Sequence, residues 1–154
     1  MKNLLFLFSA LLLISCSGDD DDNTVENQTF LEKYDGVGFY DEYGYYVFFY
    51  NDEVFRKTAE IDDGVLYCTE TREGANNVDG EVFNVVILTN DLERLVVKFI
   101  NNYLNEEYTE TVEYIVNPTQ NAMTEEWDDN RNFEGGGEQV SFFKTTTTYS
   151  SLCN

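Results

Sequence analysis

The 154-residue chain carries 30 acidic residues against 9 basic ones and no histidine, for a formal charge of −21. So negative a surface opposes binding to nucleic acid or to an anionic lipid surface, and the lack of imidazole excludes Ser-His-Asp and Cys-His catalytic units. Phe, Tyr and Trp still make up 16% of the residues, enough for a packed core in a chain whose acidity alone would suggest disorder.

The first element is an export signal. Lys2 precedes the apolar run from Leu4 to Ile14, too short to span a bilayer as a mature helix, and Leu13-Ile14-Ser15-Cys16 sets a small residue directly before a cysteine. These four residues resemble the lipobox of bacterial type II signal peptides. The resemblance implies that residues 1–15 are removed and that Cys16 is acylated on its sulfur and its new amino group, tying the chain to a lipid bilayer. At roughly 0.8 kcal/mol per buried CH₂, one acyl chain holds only marginally, whereas two or more hold durably. Residues 16–23 continue as Cys-Ser-Gly-Asp-Asp-Asp-Asp-Asn, a run whose like charges keep it extended and solvated. It is similar to the acidic tether of surface lipoproteins of the Bacteroidota, which implies an outer-membrane, lipid-anchored protein facing the cell exterior. Residues 24–154 then have the length of one domain.

Thr29 to Tyr34 reads as a helical turn with Thr29 as N-cap and Glu32 at capping-box distance. From Val37 onward, short strands are expected between Gly, Asn and Asp clusters. Val37 to Tyr40 turns through Asp41-Glu42-Tyr43-Gly44 into the aromatic strand Tyr45 to Tyr50. Val54 to Ile61 meets Val65 to Thr71 across Asp62-Asp63-Gly64, where Asp-Gly accepts positive φ. Glu73 to Gly80 reads as a polar loop. Val82 to Leu88 and Leu92 to Ile100 form the next hairpin, Tyr108 to Val116 stops at Pro118, and Ala122 to Trp127 and Val140 to Thr146 are the last strands. Between these last two lie Asp128 to Asn132 and the triple glycine Gly135 to Gly137.

Alternation gives several strands one apolar face: Phe83, Val85 and Ile87; Leu95, Val97 and Phe99; Met123 and Trp127 flanking Glu125; Val140 and Phe142. The expected fold is all-β, an antiparallel up-and-down meander β-barrel of about eight strands, because closure removes the exposed edges of an open sheet. No helix is evident after Thr148. Once Cys16 is acylated, Cys68 and Cys153 remain, and an even pair in an exported chain is expected to be bridged, the alternative being two reduced, buried thiols.

The lipobox, the acidic tether, the Phe30-Leu31-Glu32-Lys33-Tyr34-Asp35-Gly36 start, the short strands and the late cysteine together resemble the small lipocalin-like lipoproteins of the Bacteroidota. That resemblance implies a barrel that binds a small apolar or amphipathic molecule without catalysis. The chain departs from true lipocalins in opening its first strand with Gly36-Val37-Gly38-Phe39 instead of GxW.

Chemistry-bearing clusters are few. A carboxylate pair for glycoside hydrolysis could be drawn from Glu107, Glu110, Glu113, Glu125, Glu126 or Asp128, but none has a sequence context expected to raise its pKa. Asp128, Asp129, Asn130 and Asn132 offer hard oxygen ligands without EF-hand spacing, and the glycine run lacks the lysine or helix start of a phosphate cradle. No enzyme, cofactor or metal is therefore expected. Tyr40, Tyr45, Tyr46, Phe48 and Tyr50 crowd one hairpin. With Trp127 they are the candidate ligand contacts, although in a small barrel such rings also serve as filling. The alternative to ligand binding is an acidic module that captures a basic protein partner.

Overall fold

The computed structural model describes residues 28–78, 81–103, 106–129 and 139–153. The signal, Cys16, the tether, Asn130, Asn132 and the triple glycine lie outside the described residues. The chain runs through a short helix α1 (Phe30–Lys33) and strands β1 (Gly38–Tyr40), β2 (Tyr45–Phe49), β3 (Arg56–Asp62), β4 (Val65–Thr71) and β5 (Gly74–Val78). It continues through β6 (Glu81–Asn90), β7 (Arg94–Tyr103), β8 (Glu106–Asn117), β9 (Ala122–Asp129), β10 (Gln139–Thr145) and a short helix α2 (Tyr149–Leu152). All ten strands belong to one antiparallel sheet in the order β4-β3-β2-β1-β10-β9-β8-β7-β6-β5. This is an all-β, nearly closed meander barrel. It is closed by β1 on β10, and its two terminal strands are β4 and β5.

The strand count is ten, where about eight were expected. The stretch from Glu73 to Gly80, read as a loop, contains β5, which pairs with β6 from Gly74↔Val85 to Val78↔Glu81. A second correction lies at the C-terminus, where Tyr149–Leu152 forms one helical turn.

Local chemistry explains the turns. Asp63 and Gly64 both take positive φ, 47° and 76°, the primed turn whose twist suits a two-residue hairpin. The Asp41 carboxylate accepts the amides of Tyr43 and Tyr45 at 2.9 and 2.8 Å, which fixes the β1–β2 turn. The Asn117 side chain accepts the amide and hydroxyl of Thr119 across Pro118. At α1 the capping box forms as its sequence suggests, Thr29 and Glu32 bonding reciprocally.

The inner face holds Val47, Phe49, Val85, Leu95, Val97, Val112, Tyr114, Val116, Met123 and Phe142, all buried, in agreement with the alternation of their strands. Helix α1 plugs one end: Phe30 and Leu31 are buried there, and the Leu31 amide donates to Asn90 at 3.1 Å. Phe30 packs edge-on to Phe49 at 5.0 Å, and Phe49 on Tyr114 at 5.1 Å, so rings from both halves of the sheet meet inside. Burying each such side chain contributes up to about 3 kcal/mol.

On the outer face, Phe48 lies between Tyr46 and Tyr149 of α2, and the Cys68–Cys153 disulfide ties α2 to β4. Gly38 leaves room for the Phe48 ring, since a Cβ there would stand 2.6 Å from two ring carbons. Gly38→Ala is expected to cost about 1 to 3 kcal/mol of unfolding free energy in urea titration, because the pinned ring must move. The disulfide closes a separation of 85 residues. Cys153→Ser is expected to lower stability by up to about 4.5 kcal/mol, with a larger urea slope as the denatured chain expands.

Candidate functional site

Two-residue periodicity turns Tyr45 of β2, Arg56 of β3, Phe99 of β7, Tyr114 of β8, and Glu125 and Trp127 of β9 toward the inside of the barrel. The strands they occupy lie on both sides of the β1–β10 closure. Arg56 crosses the interior, its guanidinium carbon 5.3 Å from the Phe99 ring centre and 5.8 Å from that of Tyr114. Its Nη2 donates to the Tyr45 hydroxyl at 3.2 Å. A desolvated cation over two ring faces gains roughly 2 kcal/mol from the ring quadrupoles, which helps this charge to sit inside an apolar wall.

Glu125 is 2% exposed. One of its oxygens accepts the Trp127 indole N–H at 2.7 Å, while the other, Oε2, has no hydrogen-bond partner. The same is true of Arg56 Nε and the Tyr114 hydroxyl. Arg56 and Glu125 are within electrostatic reach of each other, yet no ion pair within 4.0 Å joins them among the described residues. A buried polar atom left unpaired costs about 1 to 3 kcal/mol, and native interiors rarely tolerate three together without a water or ligand. The arrangement offers a fixed cationic donor, a hydroxyl that can donate or accept, and a carboxyl oxygen.

Burial pushes the Glu125 carboxyl above its ordinary range. Arg56 and the Trp127 N–H oppose that shift, and Glu110 and Asp41 add to it. This corrects the expectation that no carboxylate in the chain would be so raised: the low-polarity environment is made by strands remote in sequence. Burial likewise holds the Tyr114 phenol well above its ordinary value, so it stays a neutral donor at physiological pH.

The sequence candidates are dispersed. Tyr45 joins the interior cluster, and Trp127 reaches it through its indole N–H while remaining 39% exposed. Tyr40, Tyr46 and Phe48 occupy the outer face, where Tyr40 stacks on Tyr46 at 5.9 Å and lies 6.4 Å from Phe143. Tyr50, just beyond β2, has the Lys57 ammonium 5.3 Å over its ring. The aromatic hairpin therefore supplies two faces and no single site. Among the acids, strand register puts Glu110 and Glu125 on the inner side and Glu113, Glu126 and Asp128 on the outer, with Glu113 bonded to Arg94; the Glu107 side chain lies outside the described residues. Among the described residues no three His, Cys, Asp or Glu side chains cluster as metal ligands.

Arg56 and Tyr114 had no signal as a pair in the sequence. Glu125 did: an acid between Met123 and Trp127 on an alternating apolar face is a carboxylate aimed at a core. No family model, curated protein or solved structure matches the chain.

Because the folded carboxyl of Glu125 binds its proton more tightly than the ordinary value of 4.5, its contribution is fully present below that pH and is lost as pH rises through the raised folded value. Glu125→Gln keeps the acceptor for Trp127 and removes the ionisation. The stability of this variant relative to wild type, from paired urea titrations, is expected to rise from about pH 4 to pH 8. A difference independent of pH would show that Glu125 is solvated.

Proposed function

We propose that the protein is a non-catalytic, lipocalin-like binding barrel, anchored through acylated Cys16 at the outer face of the outer membrane, that takes a small amphipathic molecule into its interior. The observation that carries this reading is the set of three buried, unpartnered atoms, Arg56 Nε, Tyr114 Oη and Glu125 Oε2, in a wall otherwise made of Val, Leu and Phe. A ligand with an apolar body and a polar end meets both demands. Its body has to part the apolar wall, which is closed to water, and its polar end supplies an acceptor for Arg56 and a partner for Tyr114 and Glu125.

The electrostatics favour an uncharged or anionic polar end. Arg56 is permanently protonated, whereas Glu125 is pushed toward its neutral form, so the interior is more cationic than the acidic exterior. The anchor is consistent with such a role, since a barrel held at a membrane can collect amphipathic molecules there.

Native mass spectrometry of protein purified from its host without denaturation is expected to show a non-covalent adduct. Titration with dodecanoate, dodecanol and dodecylamine is expected to shift Trp127 emission, because the indole is bonded to Glu125, with the amine weakest. Arg56→Met, checked for folding by circular dichroism, is expected to weaken dodecanoate binding at least tenfold, the worth of one charge-assisted hydrogen bond. An adduct-free mass together with no response to any of the three probes would overturn the reading.

A further inference from the structure

The bond from Trp127 decides what the three unpartnered interior atoms offer a ligand. A neutral carboxyl has one carbonyl oxygen and one hydroxyl oxygen, and the carbonyl oxygen is the better acceptor of an N–H. The indole N–H goes to Glu125 Oε1 at 2.7 Å, so the proton of a neutral Glu125 belongs on Oε2, the oxygen without a partner. Arg56 Nε–H can only donate, and the Tyr114 hydroxyl has its hydrogen free to do so. The Tyr45 hydroxyl already accepts from Arg56 Nη2. With Glu125 neutral, the open positions are three donors beside one fixed positive charge.

Ionisation of Glu125 changes that balance. The carboxylate would answer the Arg56 charge from within and withdraw the third donor, and an incoming anion would then leave the buried site with net negative charge. With Glu125 neutral, the same anion brings Arg56 to neutrality, and burying a balanced site costs far less than burying an unbalanced one. Among the described residues, the charged or titratable groups that face the carboxyl or Arg56 are Tyr45 of β2, Tyr114 and Glu110 of β8, and Asp41 of the β1–β2 turn. Asp41 is bonded to two backbone amides, and Glu60, farther along the same side of β3 as Arg56, is exposed. β7 and β10 present Phe99 and Val140, which do not titrate. Burial raises the pKa of Glu125 in the same sense.

Resting on the reading of the interior as a binding site, we infer that it takes a singly charged oxyanionic head group together with one proton, the anion held by Arg56 and Tyr114 and the proton by Glu125. Loading is favoured in acid and release in alkali. The place of the cluster suits such exchange. Tyr45 opens β2, and the other end of that strand, Phe49, packs on Phe30 of α1. The cluster therefore lies toward the end that α1 leaves free, where Tyr45, Arg56, Phe99 and Glu110 are half-buried and Trp127 is partly exposed.

The test titrates purified protein with 1-octanesulfonate, which stays ionised throughout, and with 1-octanol as the uncharged control, from pH 6 to pH 9, following Trp127 emission. Affinity for the sulfonate is expected to fall with rising pH, approaching about tenfold per pH unit above the point where Glu125 of the empty barrel ionises, since one proton accompanies each anion. Affinity for octanol is expected not to fall. Calorimetry in two buffers of different ionisation enthalpy is expected to show proton uptake on sulfonate binding that rises with pH toward one. Tyr114→Phe is expected to weaken sulfonate binding several-fold and to keep its pH slope. Glu125→Gln, whose amide N–H stands in for the carboxyl proton, is expected to lose the slope and at pH 9 to bind the sulfonate more tightly than wild type. A sulfonate affinity independent of pH, a parallel fall for octanol, absence of proton uptake, or a slope that persists in Glu125→Gln would each overturn the inference and leave the binding reading standing. Failure of both probes to bind at any pH would overturn the two together.

Discussion

The barrel depends on three residue pairs. Gly38↔Thr145, Phe39↔Lys144 and Tyr40↔Phe143 are the whole of the β1–β10 ladder, and they join the beginning of the domain to its end. Everything inside follows from that closure, because Tyr45 and Arg56 come from the four-strand arm on one side of it and Phe99, Tyr114 and Glu125 from the six-strand arm on the other. So short a ladder would be weak by backbone bonds alone, each contributing about 1 kcal/mol net. It is reinforced on both surfaces. Inside, Phe39 packs near Phe49 and Tyr34; outside, Gly38 admits the Phe48 ring, Tyr40 meets Phe143, and α2 covers Phe48. The aromatic crowding of the β1–β2 hairpin is thus first a device for holding a long-range junction together.

The same crowding shows what could and could not be read from the chain. Most strands were legible because their apolar residues alternate and their turns carry Asp-Gly, Asn-Asp or Asn-Pro. β5 was not: Gly-Ala-Asn-Asn-Val has the composition of a loop, and its buried Asn76 satisfies itself against the Arg72 and Gly74 carbonyls. The tyrosines were legible as important but not as divided, since a site cannot be composed from neighbours in sequence when successive side chains point to opposite faces. Tyr45 and Trp127 reach the interior; Tyr40, Tyr46 and Phe48 serve the outer surface. Arg56 was illegible for a different reason. Its partners, Phe99 and Tyr114, are supplied by strands more than forty residues away, and only the closed barrel brings them within 6 Å.

A chain this acidic faces a problem of self-repulsion that the fold solves by segregation. Its acids lie mainly at exposed positions and turns, where water and salt screen them. The exceptions are Glu125 and Asp41, and Asp41 is bonded to two backbone amides. Glu125 lacks that compensation at one oxygen, and the cation that reaches toward it stops short of an ion pair. A buried ion pair in contact would have been the cheaper arrangement for stability, since each charge would then satisfy the other. Held apart, the two leave Arg56 Nε and Glu125 Oε2 without partners in the interior, at the expense of desolvation that the surrounding aromatic packing offsets.

The unpaired edges of β4 and β5 belong to the same sheet that carries the interior cluster. The ten-stranded meander is plugged at one end by α1, and its two terminal strands, β4 and β5, meet at the corner from Arg72 to Gly74 without pairing. Had β4 and β5 paired, the exposed faces of Val65, Leu66 and Tyr67 would have had a neighbour and the sheet would have had no edge.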